Sequence, residues 1–458
     1  MDYENTISNL QENIRKFELS DGFTSEKSYI DDFIIQSIDG KNLEISYFDD
    51  SIYIKKGDNP KAVLHLNIDS NIKDSEISLS EDGHYLYSNN DLNYITSLLA
   101  INELLLRSNN DFDVLITQNN IQHENKNYGN LYFLLRSRNV INLNLRQSRC
   151  LANEFSSLVL SKINIPVERF YPDYEHKIFR LSLSNLIGGH SGSDLDKVRL
   201  NSIKSLITFI RKIRAKVDLD IINLQAGNRY DRIPSFGYID FIIKSDYHSA
   251  LIDTFNLIKS EYLEKNLKHE PNMDFSLEEI NSNDCNPITF NSFGHLSSFV
   301  ELVPSGAFAV DSINNELISS INLSISRTSE EFFNFIIVYR SLTSESMKEM
   351  LKITKMAAKI SSANVKSSLI IPRWKNSKDN LTAVFKDSYY DLTGEELDVV
   401  KTQYSLDSSI IFNNLDVNLI SLGVEYKQGK SGKYFSKLED ILDVIELIDT
   451  ALTHLAKL

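Results

Sequence analysis

Residues 62–68, AVLHLNI, and residues 91–107, DLNYITSLLAINELLLR, decide how the chain is read. The first is a short apolar run that reads as a buried strand. The second places Leu92, Ile95, Leu98 and Leu99 on one face of a helix. Val114–Thr117 reads as a further strand, Tyr128–Arg136 as a helix and Val140–Leu145 as a third strand. This β-α-β rhythm predicts an α/β sheet with helices packed on it. Ligands of such sheets sit at the carboxyl ends of the strands, so functional residues should follow the strands.

Working outward, the pattern breaks at Pro166–His176, a polar connection containing Pro166 and Pro172. Lys177–Ser184 reads as a strand, Gly188–Gly192 as a turn and Asp194–Ala215 as a long amphipathic helix capped by Ser193 or Asp194. Strands over Asp218–Leu224, Gly237–Lys244, Leu317–Ser326 and Phe332–Arg340 alternate with helices near Tyr247–Glu264 and Glu345–Ile360. From Asn376 the α/β style returns and ends in the amphipathic helix Leu438–Leu455. The predicted division is an α/β domain of residues 1–176 and 374–458, interrupted by an α+β domain of residues 177–373. No short-period repeat is evident.

A chain of 458 residues is long enough for two or three domains. Its net charge of -15 argues against a nucleic-acid partner, which requires clustered Lys and Arg. With only Cys150 and Cys285, a disulfide framework is excluded and a reducing compartment fits. Met1–Phe33 shows no secretory signal, and no apolar run approaches the ~20 residues of a membrane span. A cytoplasmic protein is expected, away from membranes.

Five segments carry a resemblance. Leu181–Asp194, LSLSNLIGGHSGSD, is the most specific, followed by Ala226–Pro234 (AGNRYDRIP), Pro304–Ser326, Arg340-Ser341-Leu342 and Trp374. In this order they resemble the aminoacyl-histidine dipeptidases, a carnosinase-like family of binuclear zinc metallopeptidases that reads close to GLKGGHSGGD at the first of them. The resemblance implies a zinc-peptidase-like α/β catalytic-type domain, an inserted α+β lid and a homodimer made through that lid. It also implies two zinc ions that activate a bridging water, with a Glu taking the water's proton.

At the strand ends the family's motifs are altered here. Its HLD becomes His65-Leu66-Asn67, keeping the ligand His while the Asp that orients it becomes Asn; a shifted register matches Asn67 and Asp69 to the pair instead. The bridging-Asp motif becomes Ser88-Asn89-Asn90-Asp91, with Asn89 in the bridging place. TEE becomes Thr117-Gln118-Asn119, so Gln118 stands for the general base and Asn119 for a ligand. NLD becomes Asn142-Leu143-Asn144, and Lys430 in Gly429-Lys430-Ser431 stands for the last ligand His. His190 resembles the lid His that reaches the partner's active site, and Arg340 a substrate-side Arg.

Neutral amides do not offset two divalent ions. One carboxylate beside such an ion is worth roughly 8 kcal/mol at ~4 Å with an effective dielectric of ~20. Gln118 has no proton-accepting group for general-base work. Carboxylates clustered without metal repel one another, and near-isosteric amides relieve this by hydrogen-bonding together. The sequence therefore predicts that both zinc ions are lost and His65 is the one retained ligand. What remains is a pocket of His65, Asn67, Asn89, Gln118, Asn119, Asn144, His190, Arg340 and Lys430.

Plainer readings stand beside these. A lone strand His is more often structural, His190 equally serves its turn, and Arg340 a structural ion pair. His123 and Glu124 are expected to be solvated loop charges, and Asn runs also arise by drift in an AT-rich genome. The expected function is a catalytically inactive metallopeptidase homologue acting as a dimeric binding or scaffold protein. The alternative is a residual aminoacyl-histidine-type dipeptidase with rearranged ligands.

Overall fold

The computed structural model describes residues 7–12, 14, 43–48, 51–69, 76–89, 92–119, 134–281, 286–313, 315–376, 380–413, 415–429 and 433–458. The chain forms two compact units. The first comprises Met1–Phe155, Trp374–Thr402 and Leu406–Leu458, and the second Ser156–Arg373 and Gln403–Ser405.

The first unit opens with β1 (Glu44–Phe48), β2 (Ser51–Lys56), β3 (Val63–Asp69), β4 (Ile77–Leu79), β5 (Tyr85–Ser88), α1 (Asn93–Arg107), β6 (Phe112–Asn119), β7 (Asn139–Leu145) and β8 (Cys150–Phe155). The second holds β9 (Ser157–Pro166), β10 (His176–Ser184), β11 (Gly189–His190), α2 (Ser202–Arg214), β12 (Leu219–Ala226), β13 (Arg232–Ile233), β14 (Gly237–Lys244), α3 (His248–Asn266) and β15 (Asp274–Glu279). It continues with α4 (Phe290–Leu302), β16 (Gly306–Val310), β17 (Leu317–Thr328), β18 (Phe332–Ser341), α5 (Ser344–Ile360) and β19 (Asn364–Ile371). The chain then adds to the first unit β20 (Trp374–Lys375), α6 (Asn380–Thr393), β21 (Asp398–Thr402), α7 (Ser408–Phe412), β22 (Asn418–Gly423), β23 (Lys427–Gln428), β24 (Tyr434–Lys437) and α8 (Leu438–Lys457).

In the first unit one sheet runs β1-β2-β6-β3-β7-β22-β8-β20, with β21 on β8. Its centre, β6-β3-β7-β22, is parallel. Alternation along these strands gives the sheet two unlike faces. Leu64, Leu66, Ile116, Ile141, Leu143 and Ile420 pack against α1, α6 and α8 in one apolar core. His65, Asn67, Thr117, Asn142 and Ser421 occupy the opposite face and are buried as well. At the carboxyl ends β22 approaches β7 so closely that a Cβ on Gly423 would lie 1.6 Å from the Leu145 carbonyl oxygen. Only glycine fits there.

The second unit is one sheet in the order β15-β10-β14-β12-β17-β18-β9-β19, with β16 on β17. It is built from two β-α-β-β-α-β motifs. One is β10-α2-β12-β14-α3-β15, with its strands side by side as β15-β10-β14-β12. The other is β9-α4-β17-β18-α5-β19, with its strands ordered β17-β18-β9-β19, the same arrangement reversed. The first motif is nested inside the second, between β9 and α4. The two meet edge to edge at β12 and β17, paired at Ala226 and Ser326. Arg327 donates to the Ala226 and Gly227 carbonyls across this seam. Arg169 bridges the Ile222 and Glu330 carbonyls from the connecting segment.

Two sequence expectations are corrected here. Residues 156–176, assigned to the α/β domain, belong to the second unit, because β9 pairs with both β18 and β19 inside its sheet. The helix expected to begin at Asp194 begins at Ser202, where the Asn201 side chain accepts the Ile203 and Lys204 N–H groups. Asp194 is held in the preceding turn by the His190 N–H and Ser193 hydroxyl. The helix expected over 128–136 lies mostly outside the described residues.

Candidate functional site

Parallel pairing sets the carboxyl ends of β3, β6 and β7 side by side. Asn67 lies opposite Thr117 and Asp69 opposite Asn119, while His65 lies opposite both Leu115 and Asn142. Around Asn67, Thr117, Asn142 and Asn144 a continuous hydrogen-bond network forms. Ser421 Oγ donates to Asn142 Oδ1 at 2.6 Å. Asn142 Nδ2 donates to Asn144 Oδ1 at 2.8 Å and to His65 Nδ1 at 3.2 Å. Thr117 Oγ1 gives its proton to Asn67 Oδ1 at 2.8 Å and lies 3.1 Å from His65 Nε2. Since Asn142 Nδ2 can only donate and the Thr117 proton is already used, His65 carries its proton on Nε2. Asn67 Nδ2 completes the series by donating to Asp407 Oδ2 at 2.8 Å.

Asn144 locks the strand ends laterally. Its Oδ1 accepts the Asn67 N–H at 2.9 Å, and its Nδ2 donates to the Asn67 carbonyl at 2.8 Å and to Asn93 Oδ1 at 3.2 Å. His65 is 0% exposed, and its ring stands edge-on to Phe412 of α7 at 5.2 Å. Burial pushes its pKa down to about 3, so the ring is neutral at physiological pH.

His65 was expected as the retained ligand. The structure instead seals it mid-strand, with both ring nitrogens engaged inside the sheet. Asn67, two residues further toward the carboxyl end of the strand, lies on the same face. Asn89 was expected in the bridging place; it is exposed, and its Oδ1 accepts the Glu76 N–H at 2.8 Å beside the small β23-β24-β5-β4 sheet. Gln118 and Asn119 lie on β6 as backbone, but their side chains fall outside the described residues, as do Lys430, His123 and Glu124.

The second unit holds the other two candidates. His190 sits in a turn that needs its glycines: Gly188 and Gly189 have φ of 62° and 134°, and a Cβ on Gly189 would meet Asp194 at 2.7 Å. The His190 Nδ1 accepts the Gly192 N–H at 3.0 Å and the ring stacks on Tyr404 at 5.4 Å. Glu270 holds both ends of this loop, accepting the Ile187 and Leu200 N–H groups. Arg340 is buried and donates to Ser405 Oγ at 2.9 Å and the Gln403 carbonyl at 3.4 Å.

Sequence reasoning singled out Asn67 and Asn144 but not the partners that lock them. Ser421 and Asp407 arrive from the far end of the chain, and Asn93 carries no motif that marks it. Asn142 and Thr117 were inside named motifs, and strand alternation was the signal for both.

Among the described residues the donor set does not fit a binuclear zinc centre. The Asn67, Asn142 and Asn144 side chains offer neutral carbonyl oxygens that already accept hydrogen bonds, and the neutral His65 has no nitrogen to spare. Among the described residues no group of three His, Cys, Asp or Glu side chains is placed to hold a metal ion.

No family model matches the sequence. The cytosol non-specific dipeptidase of Escherichia coli (strain K12) is 21% identical over 217 residues, covering 46% of this chain and 44% of that protein. The match thus spans less than half of the curated relative. Aminoacylhistidine dipeptidase from Vibrio alginolyticus superposes with a TM-score of 0.68 at 15% identity, over 98% of this chain and 96% of that one. The chain shares the fold of that aminoacylhistidine dipeptidase. A tripeptidase from Staphylococcus aureus (TM-score 0.51, 10% identity, 99% of both chains) shares the fold. So does a dipeptidase from Saccharomyces cerevisiae (TM-score 0.50, 9% identity, 100% of this chain and 96% of that one). The dipeptidase fold is thus kept around strand ends whose described side chains interlock as amides.

Proposed function

We propose that this protein is a non-catalytic relative of the dipeptidases, a binding or scaffold protein that holds neither of the family's zinc ions. The observation that carries the reading is the amide network itself. Asn67, Asn142 and Asn144 bond to one another, to His65 and to the backbone, which supports strand ends that need no cation between them. Gln118, in the place the resemblance gives to the general base, agrees with this. With it we propose a cytoplasmic homodimer formed through the second unit.

The test is metal analysis of the purified protein, followed by zinc and manganese titration and a dipeptide panel. Fewer than ~0.1 equivalents of bound metal and no metal-dependent turnover are expected. Two tightly held zinc ions, or turnover that requires them, would overturn the proposal. Light scattering tests the assembly: a mass of one chain, 52.4 kDa, would remove the homodimer.

A further inference from the structure

A second candidate site lies within the second unit. A cavity of about 400 Å³ lies between the last turns of α2 and the first turns of α4, lined among others by Arg211, Arg214, Asp218, Phe290, Phe293 and Gly294. Phe290, Phe293, Gly294 and Ser297 fall at the helical spacing that makes one face of α4. Phe290 is 77% exposed. A Cβ on Gly294 would meet nothing within 4 Å, so the helix surface there is open.

Arg214 is the informative residue. Its side chain is only 15% exposed, and its guanidinium lies over the Phe293 ring at 4.6 Å and the Phe290 ring at 4.7 Å. Its nearest carboxylate, Asp220, is 3.8 Å away and accepts instead from the Tyr174 hydroxyl at 3.0 Å. No side-chain hydrogen bond of Arg214 occurs among the described residues, although a guanidinium carries five donors in a planar fork. Burial opposes its charge more than Asp220 and Asp218 support it. Beside it Arg211 pairs with Glu301, and the lining as a whole holds two arginines against one aspartate. A flat cation, clamped by two aromatic rings with its donors unused, suits a carboxylate. The exposed Phe290 ring and the open surface at Gly294 suit a flat apolar body attached to it.

We propose that this cavity binds a small aromatic carboxylate, its oxygens on Arg214 and its ring along Phe290 over Gly294. The test uses ligand-observed NMR and calorimetry with phenylacetate as the probe. Phenylacetamide, which keeps the ring without the charge, acetate, which keeps the charge without the ring, and inorganic phosphate are the comparisons. Saturable phenylacetate binding is expected, at least about ten-fold tighter than each comparison. Arg214→Gln and, independently, Gly294→Leu should each weaken it about ten-fold or more with an unchanged circular dichroism spectrum. The two variants lie on different helices, so misfolding of one leaves the other decisive. No saturation by about 10 mM, equal binding of phenylacetamide or phosphate, or indifference to both substitutions would overturn the proposal.

Discussion

The two ends of β6 hold unlike buried polar clusters, an ion pair at one and an amide network at the other. At the amino end Asp113 is 0% exposed and ionic: the Tyr53 hydroxyl donates to it at 2.6 Å, and Arg136 pairs with both of its oxygens. Four residues on, roughly 13 Å along the strand, Thr117 opens a cluster of hydroxyls, amides and a neutral imidazole, in which the half-buried Asp407 carboxylate accepts from the Asn67 amide. At Asp113 the buried carboxylate is met by a cation from the chain itself. At the other end the strand tips are joined by neutral amides.

The comparison breaks first at Asp113. Asp113→Asn leaves Arg136 as a cation facing an amide and should cost about 3–5 kcal/mol in urea unfolding. A cost under about 1 kcal/mol would mean the ion pair is ornamental and the contrast between the two ends empty.

At the other end the sign of pH dependence is the sharper tool. His65 has a folded pKa of about 3, below the ~6.5 of the unfolded chain. The unfolded state therefore binds the proton first, and this contribution is complete above pH ~6.5 and lost as pH falls toward ~3. Between pH 7 and 4.5 the wild type should lose about 2.5 kcal/mol more than His65→Gln, read from urea midpoints at the two pH values. Equal losses would show that His65 takes up a proton in the folded state.

Asn67→Asp should give the opposite slope. The new carboxylate would face Asp407 across the present 2.8 Å contact, so its folded pKa rises. Its penalty is absent below pH ~4 and grows to about 2 kcal/mol by pH 7. Thermal melts at both pH values check this, and a pH-independent difference would refute it. The smallest effect is expected for Thr117→Val, which removes the link between His65 and Asn67 and should cost about 1–2 kcal/mol with no gain in zinc uptake.

Much of this was legible in the sequence because it is local. The apolar runs of β3, β6 and β7 and the periodicity of α1 marked the sheet and its helices, and the altered strand-end motifs pointed to Asn67 and Asn144. His65 was misplaced because HLN and a reading shifted by two residues give the same strand face; only the depth of burial separates them. Asp407 and Ser421 were invisible because they reach the network through pairings more than 275 residues away in sequence. The doubled motif of the second unit was hidden for a different reason: its halves share topology, not residues, and one interrupts the other. In the outer half, β9 had also been counted with the wrong domain.

That interruption bears on how the chain is made. Every strand partner of the inner motif's first strand, β10, is synthesised by Glu279, so this motif can close while the rest is still being translated. Strand β9 emerges earlier and must wait, because both of its neighbours, β18 and β19, come last. During that interval Leu158, Val159, Ile163 and Ile165 belong to a strand with two open edges. The newborn chain is therefore most exposed to aggregation before β18 arrives, and a chaperone that shields one segment would do most good at residues 157–166.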